Sequence, residues 1–209
     1  MRDPRGALVA AGVLLGAVAA LTVLVMLDPA APPLLGTIDR WWRDLVLEAP
    51  GWAEAASRGM KFLGSGWVMV TLRILVAVWL IARRRRYDLA AWLLAWAVAD
   101  AITFVMKPGI GRLRPDGTDA TSFPSGHSKT AAQVAVGLVL IATSPWRSRA
   151  TAWWLASAWI VAMAVSRTVL DEHWLSDVVA GSLLGIACAI GVAALVQRRR
   201  GDPHGGRAP

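Results

Sequence analysis

The chain contains one cysteine and one tyrosine, and charged residues make up only 17% of its 209 positions. The lone Cys188 excludes an intrachain disulfide and any cysteine-based metal site, and its place inside an apolar stretch marks it as a small packing residue. Acidic residues are scarce, 14 against 22 lysines and arginines, which leaves a formal net charge of +8. Such an excess can signal nucleic acid, but the basic residues fall in short clusters between apolar runs and form no face interleaved with aromatics. No nucleic-acid partner is expected. No internal repeat is evident either, which sets aside solenoid architectures.

What is abundant is apolar surface. Hydrophobic residues make up 56% of the chain and its mean hydropathy is +0.50. A membrane-spanning helix needs about 20 mostly apolar residues. Segments near 7–27, 62–82, 88–106, 128–143, 150–166 and 175–197 come close to that length. They predict an all-α, integral-membrane bundle of six transmembrane helices in a single domain, 1–200, followed by a disordered cytoplasmic tail, 201–209, that carries His204. The first run is longer than the roughly 7–15 residues of a signal-peptide core, so it is read as a helix.

Orientation follows from the arginines. With both termini cytoplasmic, Arg2 with Arg5, Arg83 to Arg86, Arg147 with Arg149, and Arg198 to Arg200 all fall on the cytoplasmic side of a multi-pass plasma-membrane protein. Loops 28–61, 107–127 and 167–174 then lie outside. The stretch WWRDLVLEAPGW in the first of them fits either a short amphipathic helix lying on the membrane or a plain connection. Among the 12 tryptophans, Trp41, Trp42, Trp67, Trp146, Trp153 and Trp174 fall near ends of apolar runs, where indoles favour the headgroup region. Trp96 and Trp159 sit mid-run, as packing residues do. The pairs Gly12/Gly16 and Gly181/Gly185 have the spacing that lets helices approach closely. The Ala- and Arg-rich composition points to a bacterial envelope.

The outer loops hold polar residues that a connector has no use for. From Lys107 to Asp177 the chain reads KPGIGRLRP, then PSGH, then SRTVLDEHWLSD, bringing Lys107, Arg114, Ser125, His127, Arg167, His173 and Asp177 to one predicted face. Three cations, a hydroxyl and the backbone amides of Ser125, Gly126 and His127 at a helix N-terminus make an anion site, for which phosphate is the natural guest. Gly126 permits close backbone approach and Pro124 stiffens the start of the helix. Arg114 and Arg167 can each offer two donors, Lys107 a point charge. His173 and Asp177, four apart, share one face if both lie at a helix start. A carboxylate on one ring nitrogen then fixes the tautomer and leaves the other as nucleophile or base. Two histidines allow one to attack phosphorus while the other protonates the leaving oxygen.

Other polar residues carry blander expectations. Arg73 and Asp100, inside the second and third spans, are expected to form a structural ion pair. Lys129 would face the pocket mouth or a headgroup, Asp171 and Glu172 an exposed acidic turn, and Asp116 and Asp119 would shape turns near Gly117.

The spacing Lys107, six residues, Arg114-Pro115, then PSGH at 124–127, then Ser166-Arg167, five residues, His173, three residues, Asp177 resembles the three-part signature of the type 2 phosphatidic acid phosphatase (PAP2) superfamily, with no departure at a defining position. The motifs cover about a third of the chain, and the six-helix layout resembles the membrane-bound branch over nearly all of it. The resemblance implies a metal-independent lipid phosphate phosphatase, without cofactor, acting through a phosphohistidine. By that likeness His173 is the nucleophile, Asp177 its orienting partner and His127 the acid for the leaving group. Lys107, Arg114, Ser125, Gly126 and Arg167 hold the phosphoryl oxygens, and water releases phosphate. The family also includes soluble vanadate-dependent haloperoxidases, against which six apolar spans argue. The implied partners are the bilayer and a membrane lipid phosphate such as phosphatidate, phosphatidylglycerol phosphate or undecaprenyl diphosphate. A phosphotransferase using the same phosphohistidine and a non-catalytic anionic-lipid transporter are the alternatives. Oligomeric state is not legible.

Overall fold

The computed structural model describes residues 3–27, 33–142 and 146–201. It is helical throughout: α1 Pro4–Leu27, α2 Pro33–Leu47, α3 Gly51–Leu63, α4 Gly66–Ala82, α5 Arg86–Ile110, α6 Gly126–Ile141, α7 Trp146–Val169 and α8 Leu175–Gly201. No strand occurs among the described residues. Four of the predicted apolar segments lie within α1, α5, α7 and α8; segment 62–82 begins at the end of α3 and continues in α4, and 128–143 runs past the end of α6 at Ile141, with residue 143 outside the described residues. The segment 28–61, expected outside and read as either helix or plain connection, contains two helices, broken at Pro50 because the residue before a proline is pushed out of the helical region. The predicted tail from 202 onward lies outside the described residues, as do the side chains of Arg147 and Arg149.

The chain is a multi-pass membrane protein, but the helices do not meet the spanning criterion equally. Four of them (α1, α5, α7 and α8) are long and apolar enough to cross a bilayer alone, and α4 joins α3 across a 47° bend as a possible fifth. The central α6 has only 16 residues, a length of about 24 Å. Among the described residues, four helices, or five with the bent pair as one span, meet the spanning criterion where six were expected. The physical reason is position: α6 is enclosed by its neighbours, with Ala131, Ala132, Gln133, Val134, Ala135 and Val136 all buried, so it need not match the hydrocarbon thickness itself.

Two ends of the bundle can be told apart. At one, Arg85 Nη2 donates to the Ile141 carbonyl at 2.8 Å and the Arg200 guanidinium lies 5.4 Å from the Tyr87 ring. This gathers the starts of α5 with the ends of α6 and α8. At the other, Val25 of α1 packs with Phe123 and Ala180 beside the start of α6. Between the ends, α8 crosses α6 backbone to backbone. A Cβ on Gly181 would collide with the Ser125 carbonyl oxygen, and one on Gly185 with that of Lys129. The other glycine pair behaves differently: beside Gly12 and Gly16 nothing lies within 4 Å, so their spacing marks no contact. Cys188 packs with Val18, Ala99 and Leu184, as expected of a small core residue.

The Arg73–Asp100 pair forms within the bundle, Nη1 to Oδ2 at 3.1 Å. Arg73 Nη2 also donates to Gln133 Oε1 at 2.8 Å, its guanidinium lies 4.7 Å from the Trp96 ring, and Trp96 Nε1 donates to Asp100 at 2.6 Å. Lys129 does not face a headgroup or the pocket mouth. One turn into α6, on the face it shares with Gln133, its ammonium closes on Asp100 Oδ1.

Candidate active site

The site is assembled where α5 ends and α6 and α8 begin. Gly111 terminates α5 in the left-handed region at φ 62°, its N–H donating to the Lys107 carbonyl at 3.1 Å, a turn that glycine makes without strain. The following loop folds back on itself: Arg114 N–H donates to the Asp119 carbonyl and Ser122 N–H to the Arg112 carbonyl, each at 3.0 Å. Asp116 and Asp119 shape it as expected, accepting from the backbone N–H of Thr118 and Thr121 at 3.0 and 2.8 Å. Ser125 caps α6, its hydroxyl accepting from Ser128 N–H at 3.4 Å. Its own N–H donates to the Asp177 carbonyl at 3.0 Å, which pins the start of α6 to that of α8. Beside Gly126 nothing lies within 4 Å of an added Cβ, so packing does not demand the glycine there and space remains by the first turn.

Asp177 is the hub. It is fully buried; Oδ1 accepts from Arg112 Nη1 at 2.6 Å, and Oδ2 accepts from Ser122 Oγ at 2.5 Å and Trp174 N–H at 2.9 Å. His173 Nδ1 lies 3.6 Å from Oδ2 and 3.5 Å from Ser122 Oγ. At 3.6 Å no direct hydrogen bond is made. The imidazole nevertheless presents Nδ1 to the carboxylate, which leaves Nε2 as its other nitrogen. Burial pushes the His173 pKa below its ordinary value, with Asp177 pulling in the opposite direction, so the ring is neutral near pH 7.

The cations surround this pair. Arg167 is buried at the end of α7 and meets Glu172 through Nη2, while its Nε and Nη1 make no hydrogen bond among the described residues. Arg114 pairs with Asp119 at 2.9 Å and approaches Glu172 at 3.9 Å. Hydrogen bonds from Thr121, then Arg114, hold the Asp119 pKa at about 2. Lys107 Nζ donates to the Thr121 carbonyl. His127 sits in the first turn of α6, its Cδ2 3.0 Å from where a Cβ on Gly64 would lie and within electrostatic reach of Arg167, His173, Lys61 and Arg114. Ser125, His173 and Asp177 are thus linked directly, Arg114 and Arg167 through Glu172, and Lys107 through the loop.

The acidic turn is not exposed. Asp171 accepts two hydrogen bonds from Arg43 at 2.6 Å, and Glu172 accepts from Lys61 at 2.6 Å besides meeting Arg167. The reason is tertiary: α2 and α3 fold over the turn and supply Arg43 and Lys61. Trp174 Nε1 donates to the Leu113 carbonyl at 2.9 Å.

Two functional neighbours are missing from any reading of the motifs. Arg112 bridges Asp177 and Asp39, with Nη2 2.7 Å from Asp39 Oδ2. Asp39 in turn accepts from Ser176 N–H at 2.9 Å and Ser176 Oγ at 2.7 Å. Arg112 stands in KPGIGRLRP two residues before Arg114, a position at which its charge alone could have flagged it. Asp39, in the segment 28–61, carries no such signal.

An apolar groove of about 560 Å³ runs between α4, α6 and α7, lined by Met69, Leu72, Val134, Leu138, Ala152 and Trp159 among others. Val134 and Leu138 follow His127 by seven and eleven residues and so continue its helix face. Among the described residues no group of three or more His, Cys, Asp or Glu side chains is placed to hold a metal. The arrangement offers oxyanion donors, a helix N-terminus and a neutral imidazole, which together suit nucleophilic displacement at phosphorus.

Residues 88–201 match the family model described as the PAP2 superfamily. Decaprenylphosphoryl-5-phosphoribose phosphatase of Mycobacterium tuberculosis is 34% identical over 157 residues, covering 67% of this chain and 78% of that protein. Lipid A 1-phosphatase of Porphyromonas gingivalis is 41% identical over 101 residues, 43% of this chain, and the match spans only 21% of that relative's length. The crystal structure of a transmembrane PAP2 type phosphatidylglycerolphosphate phosphatase from Bacillus subtilis superposes with a TM-score of 0.75 at 22% identity, covering 94% of this chain and 98% of that one, a likeness of fold.

Proposed function

The chain belongs to the PAP2 superfamily, and from that premise we propose that it is a phosphatase that hydrolyses the phosphomonoester or diphosphate of a membrane lipid through a phosphohistidine, with six membrane crossings and its site at the extracytoplasmic face. Sidedness is supported by the arginines at the opposite end of the bundle, where the positive-inside rule places the cytoplasm. The observation that carries the chemistry is the buried His173, presented by Asp177 beside a guanidinium of Arg167 that keeps two donors without a hydrogen-bond partner among the described residues.

Lys107, Arg114, Arg167, Ser125 and the amides at Gly126 hold the phosphoryl oxygens and spread the charge of the transition state. The Nε2 lone pair of His173 attacks phosphorus in line, an N–P bond forms, and the bond to the lipid oxygen breaks. His127 gives that oxygen a proton, a state favoured when the bound anion adds negative charge beside the ring. Water then attacks phosphorus, its proton passes to His127, the N–P bond breaks, and inorganic phosphate leaves with both histidines restored. The lipid chain fits the groove of about 560 Å³ whose α6 wall continues the helix face of His127, on the leaving-group side.

The test is phosphate release by the purified protein in detergent, wild type beside His173→Ala, on phosphatidate, phosphatidylglycerol phosphate and undecaprenyl diphosphate. Release that depends on His173 is expected. No release from any of them, with the phosphate appearing on another lipid or not at all, would move the chain to the transferase or transporter class.

A further inference from the structure

We propose that Asp39 and Arg112 are positioning residues: they fix Asp177 from behind and set the charge it presents to His173, an inference that rests on the phosphohistidine reading above. The carboxylate of an aspartate rotates over a broad range. Here Oδ2 faces His173, and the rotation is stopped at Oδ1 by Arg112 Nη1 at 2.6 Å. Arg112 is itself held by Asp39 Oδ2 at 2.7 Å, by Ser176 Oγ at 2.6 Å and by the Trp174 ring 5.6 Å from its guanidinium carbon. The three charged groups are almost wholly removed from solvent, with exposures of 1% for Asp39, 4% for Arg112 and 0% for Asp177.

The stoichiometry of charge matters as much as the geometry. One arginine paired with Asp177 alone would neutralise it. Shared between two carboxylates, the same arginine leaves a cluster of net charge −1 behind His173 Nδ1. Attack by Nε2 turns the neutral imidazole into a phosphorylated ring that carries positive charge while Nδ1 keeps its proton. A fixed negative cluster in a low-dielectric site favours that change. Asp39 supplies the second negative charge. It lies on α2 and makes its contacts with Arg112 and Ser176 rather than with any residue assigned to the phosphate.

The experiment uses the full chain in detergent, with phosphatidate as substrate and vanadate as a probe of the phosphate cradle. Asp39→Asn keeps the shape and removes the charge. It is expected to lower kcat about a hundredfold, the scale on which a small misplacement of reacting groups acts, while KM and vanadate inhibition stay as in the wild type. Asp39→Glu, which restores the charge, should recover most of the rate. Arg43→Gln breaks the tie between α2 and the acidic turn at Asp171 and removes the Arg43 guanidinium from beside the Trp174 ring, but takes no charge from the Asp39–Arg112–Asp177 cluster, and is expected to leave kcat unchanged. The acid limb of kcat/KM should move to lower pH in Asp39→Asn, because loss of a negative charge disfavours protonated His173. The other charged groups facing that ring are Asp177 of α8, Arg114 of the loop after α5, Arg167 of α7 and His127 of α6, all untouched by the substitution. If Asp39→Asn does not fold, Arg112→Lys carries the test with the same expected loss of kcat and retained vanadate inhibition.

An active wild type with undiminished kcat in Asp39→Asn overturns this inference alone. So does an equal loss in Arg43→Gln, which would show that loosening α2, not charge, is what matters. A wild type that releases no phosphate from any lipid overturns instead the reading beneath it.

Discussion

Two polar clusters lie in this bundle, one above the other along α5 and α6, and they share their ingredients but not their arrangement. In the inner one, Arg73 and Lys129 converge on Asp100, and Trp96 and Gln133 complete the contacts. Arg73 Nε and Gln133 Nε2 make no hydrogen bond among the described residues, and the Arg73 guanidinium lies over the Trp96 ring. In the outer one, Arg112 is committed to two carboxylates, whereas Arg114 Nε and Arg167 Nε and Nη1 make no hydrogen bond among the described residues, next to a helix N-terminus and a buried histidine. The number of charges does not separate the two. Nor do donors without an acceptor, which both clusters contain; what separates them is the buried imidazole of His173, whose nitrogen can change its bonding beside such donors.

The sharpest test of that division is His173→Ala. In the outer cluster it should lower the rate of phosphate release by about four orders of magnitude or more, the scale of losing a nucleophile, and leave the thermal midpoint near that of the wild type. Activity near wild type would remove His173 from the nucleophile's role.

Next in size is Asp100→Ala, which strands Arg73 and Lys129. Breaking a buried ion pair on one side is strongly destabilising, and Asp100 is the carboxylate that both Arg73 and Lys129 meet. The loss should appear in thermal unfolding, with vanadate inhibition retained by the folded fraction. Lost turnover at unchanged stability would erase the distinction between the clusters.

The apolar side of α6 offers a smaller effect. Ala152→Trp, in the groove between α4, α6 and α7, should lower kcat/KM about tenfold on a long-chain phosphatidate, a loss of about 1.4 kcal/mol, and leave a short-chain one unaffected. Equal effects on both would show that the groove does not hold the leaving chain.

The mildest test is pH. Burial lowers the His173 pKa, and the neutral ring is the nucleophile, so the acid limb of kcat/KM should be centred below about 6.5, the ordinary imidazole value. An acid limb centred above that value would mean that Asp177, rather than burial, governs the ring.

Much of this molecule was legible before any coordinates. Apolar runs of about helical length gave α1 and α4 to α8, since the cost of unpaired backbone groups in hydrocarbon leaves few alternatives. The residues of the three motifs do lie at one end of the bundle, because each motif sits where a run begins or ends. Gly181 and Gly185 were read correctly as contact glycines, and Gly12 and Gly16, with identical spacing, were not: only the presence of α6 opposite one pair and open space beside the other distinguishes them. Lys129 and the acidic turn were misread for a related reason, that their partners Asp100, Arg43 and Lys61 come from other helices.

The sequence by itself determined which apolar segments are helical, where the charges gather and which chemistry the motifs resemble. These are properties of local composition and spacing, to which the membrane and the helix period respond directly. Only the tertiary structure decided that Asp39 reaches Arg112, that Arg112 grips Asp177, and that α6 can be short because it is enclosed. Those facts join residues as many as 138 positions apart, as in Asp39 and Asp177, the two carboxylates that share Arg112. No periodicity encodes such a meeting; it exists because α2 folds down over the start of α8, where burial makes a shared arginine the most favourable way to keep two carboxylates charged.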